Sequence, residues 1–261
     1  DRGRYMADSD FVPMPTKGLV SADYLSERAK LLTGSKALTE VLPGNPEYSH
    51  ASLWADDVSL ELPSTSHISI VDSYGNALSM TTTIENGFGS RLMTSGFLLN
   101  NEMGDFNAGP GLTNTSGLIG TEPNLARPQQ RMLSSMSPSI VAHDGDLVAV
   151  VGSPGGRTII NTTLQIILNM VDFGMNIQEA VNAPRMHHQW LPDRIRLEGD
   201  AVVQDVVQAL EALGHTVQMG GRQGSANSIG VNPLSGERMG APDPRSADSG
   251  AVGASVSRVR R

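Results

Sequence analysis

Several short features of the sequence have residue types that could do chemistry. Thr65 opens a run, Thr65-Ser66-His67-Ile68-Ser69-Ile70-Val71-Asp72, in which polar and apolar residues alternate from His67 onward. A threonine hydroxyl is a poor nucleophile at neutral pH, so using it requires a base. Further along stand two carboxylates, Glu102 and Asp105, two adjacent serines, Ser134 and Ser135, and a glycine-bearing turn, Ser153-Pro154-Gly155-Gly156. Carboxylates with no nearby cation form an electrostatic trap for an amine. Glycines at a helix start let a substrate approach backbone N–H donors closely. Singly, each feature has a plain reading: threonine is an ordinary strand former, adjacent serines make polar turns, and a glycine turn caps a helix. His187-His188 does not read as a metal site, because adjacent histidines point apart on helix and strand alike, and no third ligand sits at useful spacing.

The elements around these residues follow from periodicity. Residues 67–72 and 77–84 predict a β-hairpin turned at Tyr74-Gly75-Asn76. Residues 139–143 and 147–152, joined by Asp144-Gly145-Asp146, predict a second hairpin that runs into the glycine turn. The helix opened by that turn carries Ile160, Leu164, Ile167, Leu168 and Val171 on one apolar face and ends at Phe173-Gly174. Shorter helices are expected at 21–32, started by Ser21, and at 176–183, capped by Asn176 with Glu179 three residues on. A strand at 194–197, an amphipathic helix at 201–213, a strand at 215–219 and a final hairpin through 228–239 complete the pattern. Antiparallel strands in series with helices laid over them imply an α+β layered sandwich in one domain.

Composition bounds the function. With 261 residues the chain can bury a sizeable core, and with no cysteine it has no disulfide, thiolate metal site or cysteine nucleophile. A formal charge of −8 without a long basic run argues against nucleic-acid or anionic-membrane binding; the basic tail of Arg258, Arg260 and Arg261 reads as a solvated end. No stretch is long and apolar enough to span a bilayer. Small-molecule or peptide chemistry remains, with no cofactor. The chain starts Asp-Arg-Gly-Arg, inside an ordered pattern, and reads as a fragment whose upstream sequence could have carried a signal peptide.

The segment from Thr65 to Asp72, with Gly75-Asn76-Ala77, Thr81-Thr82-Thr83, Phe88-Gly89 and Leu98-Leu99-Asn100-Asn101-Glu102-Met103-Gly104-Asp105-Phe106, resembles the γ-glutamyltranspeptidase family. Later blocks agree in order: Leu133-Ser134-Ser135-Met136-Ser137-Pro138, Gly152 to Gly156, Asn182-Ala183-Pro184-Arg185 with His187-His188-Gln189-Trp190, and Asp243-Pro244-Arg245. The resemblance covers nearly the whole chain. It implies a four-layer αββα N-terminal-nucleophile hydrolase sandwich of which this chain supplies part, the other half coming from an upstream portion. It also implies that Thr65 cleaves the chain at the Ser64 carbonyl through an ester. Residues 1–64 then become the end of the large subunit and 65–261 the small, catalytic subunit. The freed α-amine of Thr65, with a pKa near 8, is the base for its own hydroxyl.

Residue by residue, the resemblance makes Thr83 an orienting partner of the nucleophile and Gly155 and Gly156 the oxyanion hole. Ser134 and Ser135 would hold the donor's α-carboxylate, and Glu102 and Asp105 its α-ammonium. The donor is a γ-glutamyl compound such as glutathione, and water or an amino acid or peptide amine is the acceptor. Glu85 departs from the family pattern, which usually has asparagine there in the α-ammonium site, so donor choice is in question. The family's carboxylate-clamping arginine lies upstream and has no match here. Residues 107–131 take the place of a lid loop, with Ser116 about where some members carry a gating tyrosine. A glutaryl or cephalosporin side-chain acylase of the same fold, and a catalytically silent scaffold that stays uncut, are the alternatives. By family analogy the compartment is periplasmic or extracellular.

Overall fold

The computed structural model describes residues 1–46, 64–106, 124–199 and 204–254. The approach to Ser64, most of the lid loop including Ser116, the start of the helix expected at residue 201, and the basic tail lie outside the described residues. The chain forms two compact units rather than the single domain expected. The first comprises Asp1–Glu61, Asn101–Ser134 and Gln208–Thr216; the second comprises Leu62–Asn100, Ser135–Val207 and Val217–Arg261.

In the first unit, α1 (Arg2–Tyr5), α2 (Thr16–Leu19) and α3 (Ala22–Ala29) are short. Ser21 caps α3 as expected, its hydroxyl accepting the Tyr24 N–H at 3.3 Å. A 3-10 turn, Lys30–Thr33, ends that helix before Gly34. Segments distant in sequence are tied by polar contacts: the Tyr5 hydroxyl donates to the Gly44 carbonyl at 2.6 Å. The buried Asp8 carboxylate accepts the Arg131 backbone N–H at 2.7 Å and its Nε and Nη2 at 3.1 and 2.6 Å. Those bonds hold the Asp8 carboxyl far below the usual carboxylate range.

The second unit is layered. β1 (Thr65–Val71) and β2 (Ala77–Thr83) pair antiparallel from Thr65 opposite Thr83 to Val71 opposite Ala77. Asp72 shapes their turn by accepting the N–H groups of Tyr74 and Asn76 at 2.8 and 2.9 Å. β3 (Met93–Thr94) and β4 (Phe97–Leu98) form a small separate ribbon. A four-stranded antiparallel sheet of β5 (Ser139–His143), β6 (Asp146–Val151), β10 (Ser228–Val231) and β11 (Arg238–Ala241), in the order β11-β10-β6-β5, packs against the β1–β2 hairpin. Its other face takes α4 (Thr158–Val171) and α5 (Ile177–Asn182), around a core of Ala149, Val151, Ile166, Ile177, Ala180, Val181, Ala226 and Ala241. Each fully buried Val or Ile in such a core contributes about 1.5–3 kcal/mol relative to exposure. The expected capping box closes α5: Asn176 accepts from the Glu179 N–H at 3.0 Å, and the Glu179 carboxylate accepts from the Asn176 N–H at 2.9 Å. A third sheet joins β7 (Met186–His187), β8 (Ile195–Glu198) and β9 (Val217–Gly220). The described part of the remaining helix, α6, is Gln204–Ala212, of which Gln208 onward belongs to the first unit.

Two expectations need correction. β8 and β9 pair parallel, so the strands are not all antiparallel in series; the α6 segment between them supplies the crossover that a parallel pair needs. The face that α4 buries is Thr158, Ile159, Thr162, Thr163 and Ile166, while Leu164, Leu168 and Val171 of the expected face are exposed. Both sets recur at helical spacing. Which one turns inward depends on how the Gly155–Gly156 turn aims the helix at the sheet, and periodicity holds no record of that. The β1–β2 hairpin forms as expected and turns a polar face inward. His67, Ser69, Ser79 and Thr81 face the four-stranded sheet, and Ile68, Ile70, Leu78 and Met80 are exposed.

Candidate active site

Thr65 is the first residue of β1 and stands opposite Thr83 at the end of β2. Thr83 Oγ1 donates to the Ser64 carbonyl oxygen at 3.4 Å and accepts the Glu85 N–H at 2.9 Å. In the uncut chain, then, the Thr83 hydroxyl addresses the carbonyl at the expected cleavage point, whereas the resemblance pairs it with the nucleophile's own hydroxyl. Glu85 is buried and left-handed, with φ of 67°. Asparagine, which the resemblance implies at this position, enters that region more readily than glutamate.

Two residues along β1, His67 is only 6% exposed. Its Nδ1 lies 2.9 Å from Thr81 Oγ1 and its Nε2 3.0 Å from Ser69 Oγ. Ser69 in turn donates to the Asn227 carbonyl at 2.8 Å. Since that bond uses the one proton of Ser69, the serine must accept from His67 Nε2–H, which leaves Nδ1 as acceptor for the Thr81 hydroxyl. The hydrogen bonds run in one direction across the sandwich, from Thr81 through a neutral imidazole to Ser69 and Asn227. Burial pushes the His67 pKa down to about 4, in keeping with that neutral form. The ring lies on Gly152: a Cβ built there would meet Cε1, Nδ1 and Nε2 of His67 at 2.1, 2.5 and 2.8 Å.

Gly152 starts the turn that leads into α4. Gly155 and Gly156 have φ of 136° and 58°, a region that side chains rarely enter. Their carbonyls accept the Thr158 and Ile159 N–H groups at 3.2 and 3.1 Å, and Thr158 Oγ1 donates to the Gly155 carbonyl at 2.8 Å. The turn is braced from behind by residues 223–226. Ser153 Oγ donates to the Pro154 carbonyl at 2.6 Å and accepts the Ser225 N–H at 3.0 Å. A Cβ at Gly224 would lie 2.4 Å from Ser153 Oγ and 3.0 Å from the Pro154 oxygen.

That bracing segment hangs on a buried ionic cluster to which the sequence reading assigned no role. Asp243, fully buried, accepts the Ala226 N–H at 2.6 Å and Arg185 Nη2 at 2.7 Å. Glu198 accepts the Gln223 N–H at 2.7 Å and is held by Nε and Nη2 of Arg245 at 2.7 and 2.6 Å. Burial alone would raise the Glu198 carboxyl, but the bonds from Arg245 and from the Gln223 and Arg185 N–H groups outweigh it and hold the carboxyl below its ordinary value. Two of the recognised blocks, ending in Arg185 and Arg245, therefore meet in one network. The signal that could have found it was the arginine in each block and the aspartate of the second. His187 and His188 take hydrogen bonds, His187 with Asn161 and Gln189 and His188 with Asp193.

Glu102 and Asp105 of the first unit share a 3-10 turn, with Asp105 buried. Asn124, also missed in the sequence, ties that turn to Leu133 within the first unit. Its Nδ2 donates to the Asp105 carbonyl at 2.8 Å and its Oδ1 accepts the Leu133 N–H at 3.0 Å, one residue before Ser134. Ser134, in the first unit, is exposed; Ser135, in the second, is buried, and its carbonyl accepts from Ser137 Oγ at 3.0 Å.

The sequence model described as gamma-glutamyltranspeptidase matches residues 1–253. The chain is 43% identical over 252 residues to the glutathione hydrolase proenzyme of Escherichia coli, covering 95% of this chain and 41% of that protein. It is 41% identical over 259 residues to the namesake of Pseudomonas sp. strain A14, covering 94% and 43%. The chain thus spans less than half the length of these curated relatives. Among solved structures, a mutant of Helicobacter pylori gamma-glutamyltranspeptidase superposes with a TM-score of 0.65 at 46% identity, over 69% of this chain and 99% of that one. The enzyme of Pseudomonas nitroreducens complexed with L-DON gives 0.64 at 42% identity, over 73% and 99%. Matched along almost its whole length in sequence, and folded as a layered α+β sandwich like these neighbours, the chain belongs to the gamma-glutamyltranspeptidase family.

Proposed function

We propose that this chain is the catalytic portion of a γ-glutamyl hydrolase and transferase that matures by cutting itself between Ser64 and Thr65. The observation that carries the reading is the end of the β1–β2 hairpin, where Thr65 faces Thr83 and the Thr83 hydroxyl lies 3.4 Å from the Ser64 carbonyl oxygen. A donor at that oxygen stabilises the negative charge that develops when Thr65 Oγ attacks the carbonyl carbon. The Ser64–Thr65 amide becomes an ester, water hydrolyses it, and the new α-amine takes the hydroxyl proton in later turnovers. Two solved relatives of 42–46% identity are chains almost wholly matched by 69–73% of this one, in keeping with a polypeptide divided near this point.

In turnover, Thr65 Oγ attacks the γ-amide of the donor, the N–H groups of the Gly155–Gly156 turn receive the oxyanion, and the leaving amine departs protonated. The γ-glutamyl ester then passes to water or to an acceptor amine. Of the donor's charged ends, the α-ammonium falls to Glu102, Asp105 and Glu85 and the α-carboxylate to Ser134 and Ser135. A glutaryl donor lacks the ammonium that these acids would receive. The upstream portion supplies the rest of the sandwich, and the exposed apolar face of Ile68, Ile70, Leu78 and Met80 supports a further layer there. The relatives' family points to a periplasmic or extracellular site of action.

Mass spectrometry of the full-length protein tests this. Wild type yields a piece starting at Thr65 and releases chromophore from a γ-glutamyl anilide. Thr65→Ala stays in one piece and is inactive. An uncut wild type after long incubation, or an active Thr65→Ala, refutes the reading; faster hydrolysis of the glutaryl anilide moves it to the acylase.

A further inference from the structure

The chemistry proposed above asks that Thr65 and the Gly155–Gly156 donors be fixed relative to one another, yet Thr65 lies on the β1–β2 hairpin and the glycine turn follows β6 of the four-stranded sheet. We propose that His67 is the positioning residue that keys the Thr65 strand to the oxyanion turn, by bonding Thr81 and Ser69 at its two nitrogens and seating its ring face on Gly152. The inference rests on the reading of Thr65 as nucleophile.

Three observations carry it. His67 sits on the same face of β1 as Thr65, two residues on, so displacing its ring moves the strand end that bears the nucleophile. Both ring nitrogens are engaged, one by Thr81 of β2 and the other by Ser69, which is itself tied to Asn227, one residue before β10. A ring with both nitrogens committed cannot rotate without breaking a bond. Finally, Gly152 is glycine because of that ring. Its φ lies outside the left-handed region, and the nearest atoms to an added Cβ all belong to His67. The contact is therefore a steric key between the first residue of the oxyanion turn and the nucleophile strand. Misplacement of reacting groups by about 1 Å costs on the order of 100-fold in rate, so small slippage at the key is read directly in turnover.

The reciprocal fit sets the experiment. In the full-length, processed protein, His67→Ala is expected to lower kcat by about 10- to 100-fold with KM changed less than about threefold, because no substrate contact is removed. Gly152→Ala, which drives a methyl into the ring, is expected to lower kcat by about tenfold or more by the same misplacement. In the double variant the methyl enters the space the ring has left. The two losses should then fail to multiply, and the double should be no slower than His67→Ala alone. His67→Gln, which offers a donor and an acceptor in one side chain, should recover most of the rate, whereas His67→Phe keeps a ring but bonds neither Thr81 nor Ser69 and should not. Melting temperatures and titration of active Thr65 sites correct each rate for folded, processed enzyme. Independent, multiplying losses, or a kcat per active site within twofold of wild type for His67→Ala, overturn the inference. An inactive wild type sinks the parent reading instead, so the two failures are distinct.

Discussion

The Arg185–Asp243 pair gives the sharpest test of the buried network. Both side chains are essentially sealed from solvent, at 2% and 0% exposure, and their closest atoms are 2.7 Å apart. Asp243→Asn keeps the shape and removes the charge. Arg185 then stays buried against a neutral amide, with Arg245 as a second cation whose Nη1 is 3.3 Å from the same carboxylate. Removing one partner of a buried pair costs about 3–5 kcal/mol. For a body of this size that is about 6–20 °C in melting temperature. The loss should carry a local signature, since Asp243 also accepts the Ala226 N–H at 2.6 Å. Amide exchange at residues 223–226 should speed up more than exchange in the core strand β6. Thermal denaturation combined with hydrogen-exchange mass spectrometry reads both quantities. The apolar double variant Arg185→Met with Asp243→Leu completes the argument, because replacing both charges avoids the stranded cation and should be milder than either single change. A shift below about 2 °C for Asp243→Asn, or a double variant worse than both singles, refutes the reasoning.

Two further outcomes follow from single contacts. The Asp8 carboxyl is held below its ordinary value by Arg131, so its contribution is present above the usual carboxylate range and fades as pH falls toward the lowered folded value; the gap in melting temperature between wild type and Asp8→Asn should be large at pH 7 and shrink below about pH 4. Gly224→Ala places a side chain at φ of 69° with its Cβ 2.4 Å from Ser153 Oγ, and a loss of about 1–3 kcal/mol is expected from the backbone alone, read by denaturant melts, with turnover falling as the brace behind Gly155 shifts.

Much of this protein is legible without coordinates. The hairpins at Thr65 and Ser139, the caps at Ser21 and Asn176 and the glycine turn before α4 are written in short-range chemistry. Alternation, Asx and glycine positions act over a few residues, and the structure keeps each of them. Family membership was equally legible, because many separate blocks had to recur in one order.

What tertiary structure alone decided is which side of each element faces what. α4 offers two overlapping stripes at the same spacing, and packing on the sheet chose the one with Thr162 and Thr163. The β1–β2 hairpin turns its polar face inward because Ser69 and Ser79 donate to the carbonyls of Asn227, Val150 and Val151 and the His67 ring lies against Gly152. Arg185, Glu198, Asp243 and Arg245 lie far apart in the chain, and Asn124 reaches Asp105 and Leu133 only when folded. The physical reason is the same in each case. Hydrogen bonds and steric fits between distant segments have no period along the chain, so they exist only once burial has brought their partners together.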